Sequence, residues 1–142
     1  MQAENGEIEY CGIDLDLFDV EQGVLFVCDF LAQRGAPRGS KLQYEIDGQS
    51  VEVQFGQIQG LAIYLNGTDL PDEVYQQCDV NLVIEEINRL LADQGGIQGY
   101  WQGPTETALY LYGRSADEMR NLIANFLATY PLLQRARVEV IA

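Results

Sequence analysis

The chain has 142 residues, 47% of them hydrophobic, and its 22 acidic and 8 basic residues leave a net charge of −14, with no histidine. A field of that sign repels phosphate backbones, which argues against nucleic-acid binding, and no apolar run is long enough for a membrane span. Without histidine there is no Ser-His-Asp or Cys-His catalysis and no ordinary near-neutral pH switch, and nothing in the sequence calls for a cofactor.

The N-terminal residues are acidic and lack the basic-then-apolar layout of a secretion signal, so the expectation is a soluble, cytoplasmic protein. Cys11, Cys28 and Cys78 are odd in number and scattered. They read as small buried thiols rather than as a disulfide framework or a metal set.

In chain order, Ile8 to Leu17 reads as a strand, with Ile13, Leu15 and Leu17 alternating against Asp14 and Asp16 and a change of phase at Cys11-Gly12. Asp19 then caps a helix, with Gln22 at the capping-box position. That helix is apolar nearly all round, through Val20, Val24, Val27, Cys28 and Leu31 and also Leu25, Phe26 and Phe30. It is therefore expected to be sandwiched between other elements. After a loop around Pro37, Leu42, Tyr44 and Ile46 alternate, Asp47-Gly48 forms a type I′ turn, and Val51, Val53 and Phe55 alternate back. A two-residue loop pairs Tyr44 with Val51 and Leu42 with Val53.

The second half begins with a strand at Leu61–Leu65, closed by Asn66-Gly67, and a connection holding Pro71 and about one helical turn. Val80, Val83, Ile84, Ile87 and Leu91 form one helix face, capped by Asp79 or Asn81 and ended by Gly95-Gly96. Ile97–Gln102 and Thr107–Tyr112 pair across Gly103-Pro104. Ser115 and Glu118 form a capping box for a helix bearing Met119, Leu122, Ile123, Phe126 and Leu127, which Pro131 stops. Arg137–Ile141 is the last strand.

The fold class is therefore α+β: antiparallel sheet with helices on one face, a βαββ unit at 7–56, and a ferredoxin-like βαββαβ unit at 61–142. The two are expected to form one domain over 1–142, as one extended sheet or as two packed together.

Four constellations could carry function. Asp14 and Asp16 on one side of a strand could share a divalent cation, although a solvated strand face explains them as well. Glu106, in the loop after Tyr100 and Trp101, could act as a general acid or base if desolvated, although an exposed hairpin carboxylate is the commoner case. Tyr64, Tyr110 and Tyr112, joined by Tyr100 or Trp101, lie on the sheet face away from the helices. They are expected to be covered by the N-terminal half or else to form a partner surface. Asp72, Glu73, Asp79, Glu85 and Glu86, with Tyr75, offer a negative, partly aromatic surface to a cationic protein.

Taken together, these features look like those of an immunity or inhibitor protein that covers a basic toxin domain such as a nuclease. The likeness is one of class, carried by size, acidity and aromatic residues rather than by a motif. Its expected signature is a contiguous acidic patch with an exposed Tyr or Trp at the centre. The alternatives are a homo-oligomeric module, such as a homodimer, and a carboxylate enzyme or small-ligand protein using Glu106, Asp14 and Asp16.

Overall fold

A computed structural model describes residues 10–142 of the chain. Its elements are α1 (Val20–Gln33), β1 (Lys41–Ile46), β2 (Gln49–Gln54), β3 (Gln59–Asn66), α2 (Asp72–Gln77), α3 (Val80–Leu91), β4 (Gly95–Gln102), β5 (Glu106–Gly113), α4 (Ala116–Thr129) and β6 (Arg137–Val140). A short 3-10 turn at Pro131–Leu133 separates α4 from β6.

From β3 onward the chain builds a four-stranded antiparallel sheet in the order β4-β5-β3-β6. This is the ferredoxin-like arrangement, with α3 and α4 on one face. The alternation along β3 decides which side chains meet the helices. Leu61, Ile63 and Leu65 join Leu109 and Leu111 of β5 in the main core, against Val83, Ile87 and Leu91 of α3 and Met119 and Ile123 of α4. Burial of each Leu or Ile contributes about 1.5–3 kcal/mol, so this layer dominates the stability of the molecule.

Local chemistry starts both helices. Asp79 accepts a hydrogen bond from the Asn81 N–H at 2.8 Å, and the Ser115 hydroxyl accepts one from the Glu118 N–H at 3.2 Å. The Ala116 N–H donates to Gln59 Oε1 at 2.8 Å, which ties the first turn of α4 to β3.

The glycine pair expected to end α3 does something else. The chain leaves the helix at Ala92, with φ 49°, and Gly95-Gly96 opens β4. A Cβ on Gly95 would stand 2.6 Å from Met119 Sδ and 2.8 Å from the Tyr112 carbonyl oxygen. The glycine is needed where strand, strand and helix converge, and the turn is left to an alanine. Leu122, read as part of the buried stripe of α4, is exposed.

The borders of the sheet are blunted. β4 is bulged between Ile97 and Gly99, and β6 has four residues, among them Arg137 and Glu139. Bulges, charges and short length all discourage pairing with a further strand.

The N-terminal half is built more lightly. β1 and β2 form a two-stranded sheet of their own, with Tyr44 opposite Val51 and Leu42 opposite Val53, as the Asp47-Gly48 turn dictates. Both turn residues have positive φ, 50° and 76°, as a type I′ turn requires. α1 starts where Asp19 accepts from the Gln22 N–H at 3.0 Å.

Two expectations fail here. Residues 10–17 carry no strand, because no neighbouring strand takes up their backbone groups, while Ile8 lies outside the described residues. And α1 is not sandwiched: it buries Val24 and Cys28 but leaves Leu25 68% and Phe26 69% exposed. The helix packs on β1 through one side only. Among the described residues, no helix is long and apolar enough to cross a membrane.

Candidate functional site

The sheet separates the two groups of residues that the sequence offered as a partner surface. On the face away from the helices, Tyr64, Tyr110 and Trp101 pack around Ala62 and Ala108, both fully buried. The strand register explains the choice between neighbours: Trp101 lies opposite Ala108 and so joins this face, whereas Tyr100 lies opposite Leu109 and is exposed at the sheet border. The Trp101 ring folds back over Gly103, where any side chain would collide with it.

Tyr64 is capped by the Arg137 guanidinium, 3.8 Å from the ring centroid. Arg137 also pairs with Glu106 at 3.2 Å and with Glu139. At the other end of the face, burial, and after it the neighbouring Cys11 thiol, push the Tyr112 hydroxyl up. The rings thus lie flat on the sheet as a second, smaller packing layer. Among the described residues, Arg137 lies over Tyr64 at one end of this layer, and Cys11 of the N-terminal half lies beside Tyr112 at the other. Glu106 is partly solvated and engaged by a cation, which is the opposite of the desolvated carboxylate that acid-base chemistry needs.

Asp14 and Asp16 are both exposed on the segment without strand pairing, so no pleat aims their carboxylates to one side. Among the described residues, no group of three or more His, Cys, Asp or Glu side chains could hold a metal ion.

The helical face gathers the acidic group. Asp72 and Glu73 open α2, Asp79 caps α3, and Glu85 and Glu86 follow along α3. Tyr75, expected to join this surface, is half-buried beside Asp79 and also serves as a structural pin. Its hydroxyl donates to the Asn66 carbonyl and accepts from the Leu70 N–H, each at 3.1 Å. That closes a turn in which Asn66 Oδ1 also accepts from the N–H groups of Thr68 and Asp69.

The aromatic centre comes from α4 and the residue after it. The Phe126 and Tyr130 rings meet tilted by 35°, with centroids 5.1 Å apart, and with Leu82, Glu85, Glu86 and Arg89 they line a shallow groove of about 330 Å³. A second depression of about 480 Å³ runs beside it, past Tyr75, Asp79 and Leu132. Tyr130 joins the two, since its hydroxyl meets the Cys78 side chain and the Asp79 backbone; burial is the main cause that raises its pKa. Within the rim, Arg89 forks onto both oxygens of Glu86 at 2.6 and 2.8 Å and holds that carboxyl below the ordinary range, leaving Glu85 as the unscreened charge.

Leu82, Phe126 and Tyr130 were missed by sequence reasoning. Phe126 falls on the apolar spacing of α4 and was counted as core, and Tyr130 lies just beyond the helix. The one available signal was the i, i+4 pairing of two aromatics immediately before Pro131, where a helix end turns side chains toward the border of the core.

No protein-family model matches this sequence, and no curated protein matches it. The functional reading therefore rests on the geometry of the two faces.

Proposed function

We propose that this protein is a non-catalytic protein-binding module whose α3–α4 surface receives a basic protein partner. In its sharpest form it is an immunity or inhibitor protein that covers the active site of a basic toxin domain such as a nuclease. One observation carries the reading: an apolar centre of Leu82, Phe126 and Tyr130 lies directly against Glu85 and Glu86, with Asp79 beside it. Aromatic anchors supply affinity in such surfaces, and a rim of one charge sign selects and steers the partner. With a net charge of −14 behind it, the rim attracts a cationic protein from a distance and fades with salt. The acid-base alternative draws less support, because Glu106 is solvated and held by Arg137.

The test is affinity capture from native lysate on the immobilised protein, washed at low and then high salt, beside a column carrying Glu85→Lys and Asp72→Lys. The expected result is a basic protein held at low salt by the parent column and lost from the variant. Equal capture by both columns, or retention of acidic proteins only, removes the proposal.

A further inference from the structure

The surface of α1 carries a second message, independent of the acidic groove. Asp19, Phe26, Phe30 and Arg34 follow one another at spacings of seven, four and four residues, which places them on a single stripe along the helix. Their contacts agree with that placement. Phe26 and Phe30 stack at 5.9 Å between ring centroids, and the Arg34 guanidinium lies 4.8 Å over the Phe30 ring. The stripe is acidic at its start, aromatic in the middle and basic at its end. Phe18 and Leu25 flank it and are also exposed.

We infer that this stripe pairs with the same stripe of a second copy of the chain, antiparallel, about a two-fold axis near Phe26. Antiparallel pairing brings Arg34 of each copy to Asp19 of the other, at both ends of a helix contact about 22 Å long at 1.5 Å per helical residue, with the phenylalanines between them. Asp19 can do this while its Oδ1 caps the Gln22 N–H, because a carboxylate has a second oxygen to accept with.

Charge decides between occupants. A basic partner would meet Arg34 at one end, and an acidic partner would meet Asp19 at the other. A copy running in the opposite direction satisfies both. The area is also adequate. Phe18, Leu25, Phe26 and Phe30 together expose roughly 500 Å² if a whole aromatic side chain counts for about 200 Å². A standard interface of about 800 Å² per partner is a little over half apolar, or roughly 450 Å². The blunted borders of the four-stranded sheet disfavour association by strand pairing there.

Sedimentation equilibrium of the full chain at about 100 µM tests this, a concentration at which an interface with a dissociation constant of about 1–10 µM is largely filled. The expected result is a dimer that persists, or tightens, in about 1 M salt, where the Debye length shrinks to about 3 Å and repulsion between two acidic copies is screened. That response is opposite in sign to the salt-weakened capture of a basic protein, so the two ideas fail separately.

Phe26→Gln and Phe30→Gln each weaken dimerisation by about tenfold or more while the far-ultraviolet circular dichroism stays unchanged, since both rings are exposed. Asp19→Asn, which keeps the helix cap, and Arg34→Gln each weaken it a few-fold, and the double variant is no worse than either alone. A monomer at that concentration, or Phe26→Gln and Phe30→Gln variants that dimerise as the parent does, overturns the inference. Additive effects of Asp19→Asn and Arg34→Gln overturn the antiparallel pairing.

Discussion

The two halves of the chain spend their apolar residues in opposite ways. Among the described residues, of 19 buried hydrophobics only Val24 and Cys28 come before Leu61, and of 13 large exposed hydrophobics eight come from Tyr10 to Leu31. The ferredoxin-like unit packs α3 and α4 on four strands whose apolar sides face them, and the large apolar side chains it leaves exposed, such as Leu82, Tyr100 and Leu122, lie at its borders. The N-terminal half offers one helix and one hairpin, and a two-stranded sheet is too narrow to cover a helix that is apolar on every side. An apolar residue is buried only if the fold supplies a surface opposite it. That surface is a property of the whole topology, not of the segment.

The sharpest way to break the comparison is to truncate one apolar side chain in each half. Ile87→Ala, in the fully buried layer between α3 and the sheet, is expected to cost about 2–5 kcal/mol in denaturant unfolding, whereas Phe26→Ala is expected to stay within about 0.5 kcal/mol when measured on monomer. Equal losses would mean that α1 is as integral to the fold as α3.

Next in size, the contrast should appear in native-state hydrogen exchange. Amides of β3 and β5 are expected to open only with global unfolding, and those of β1 and β2 at several kcal/mol less, by roughly 2–4 kcal/mol for a small satellite. Tyr75→Phe is expected to cost about 1 kcal/mol, through the part-buried hydrogen bonds by which its hydroxyl closes the turn at Asn66, without changing the secondary structure. Ala92→Gly should act in the other direction, stabilising by about 1 kcal/mol, because Ala92 holds φ 49° and ψ −118°, a region that glycine enters without strain.

The smallest effect is electrostatic and local to the hairpin. Hydrogen bonds from Gln43 and Lys41 hold the Glu52 carboxyl below its ordinary range. A depressed folded-state pKa gives a contribution that is present above the unfolded value of about 4.3 and is lost as pH falls through the folded value. Gln43→Leu should move the Glu52 titration, followed by NMR, back toward about 4.3. Because both side chains are exposed, stability at neutral pH should barely change.

Much of this molecule was legible in the residues. Ser115 with Glu118, Asp79 and Asp19 mark helix starts because unsatisfied N–H groups demand an acceptor at those positions, and each one is found capping. The Asp47-Gly48 turn fixed its register because only a few residues tolerate two successive positive φ values. Alternation along β3 and β5 separated the leucines from the tyrosines correctly. The errors arose where a local pattern needed a distant partner. Asp14 and Asp16 alternate with apolar residues as a strand would, but no strand lies beside them. The structural role of Tyr75 went unseen because its hydrogen-bond partners, Asn66 and Leu70, are set by a turn that sequence spacing does not specify. Phe126 and Tyr130 were invisible as a surface pair because the same spacing that packs a helix also carries its last turn past the edge of what it packs against.

The arginine on the outer sheet face also has a consequence for how that face tolerates change. Arg137 caps Tyr64 and joins Glu106 on β5 to Glu139 on its own strand, with β3 lying between. One side chain therefore serves as lid, clasp and counter-ion together. Substitutions at any of its three neighbours cannot be judged one at a time, and this corner of the molecule should drift in evolution as a set or not at all.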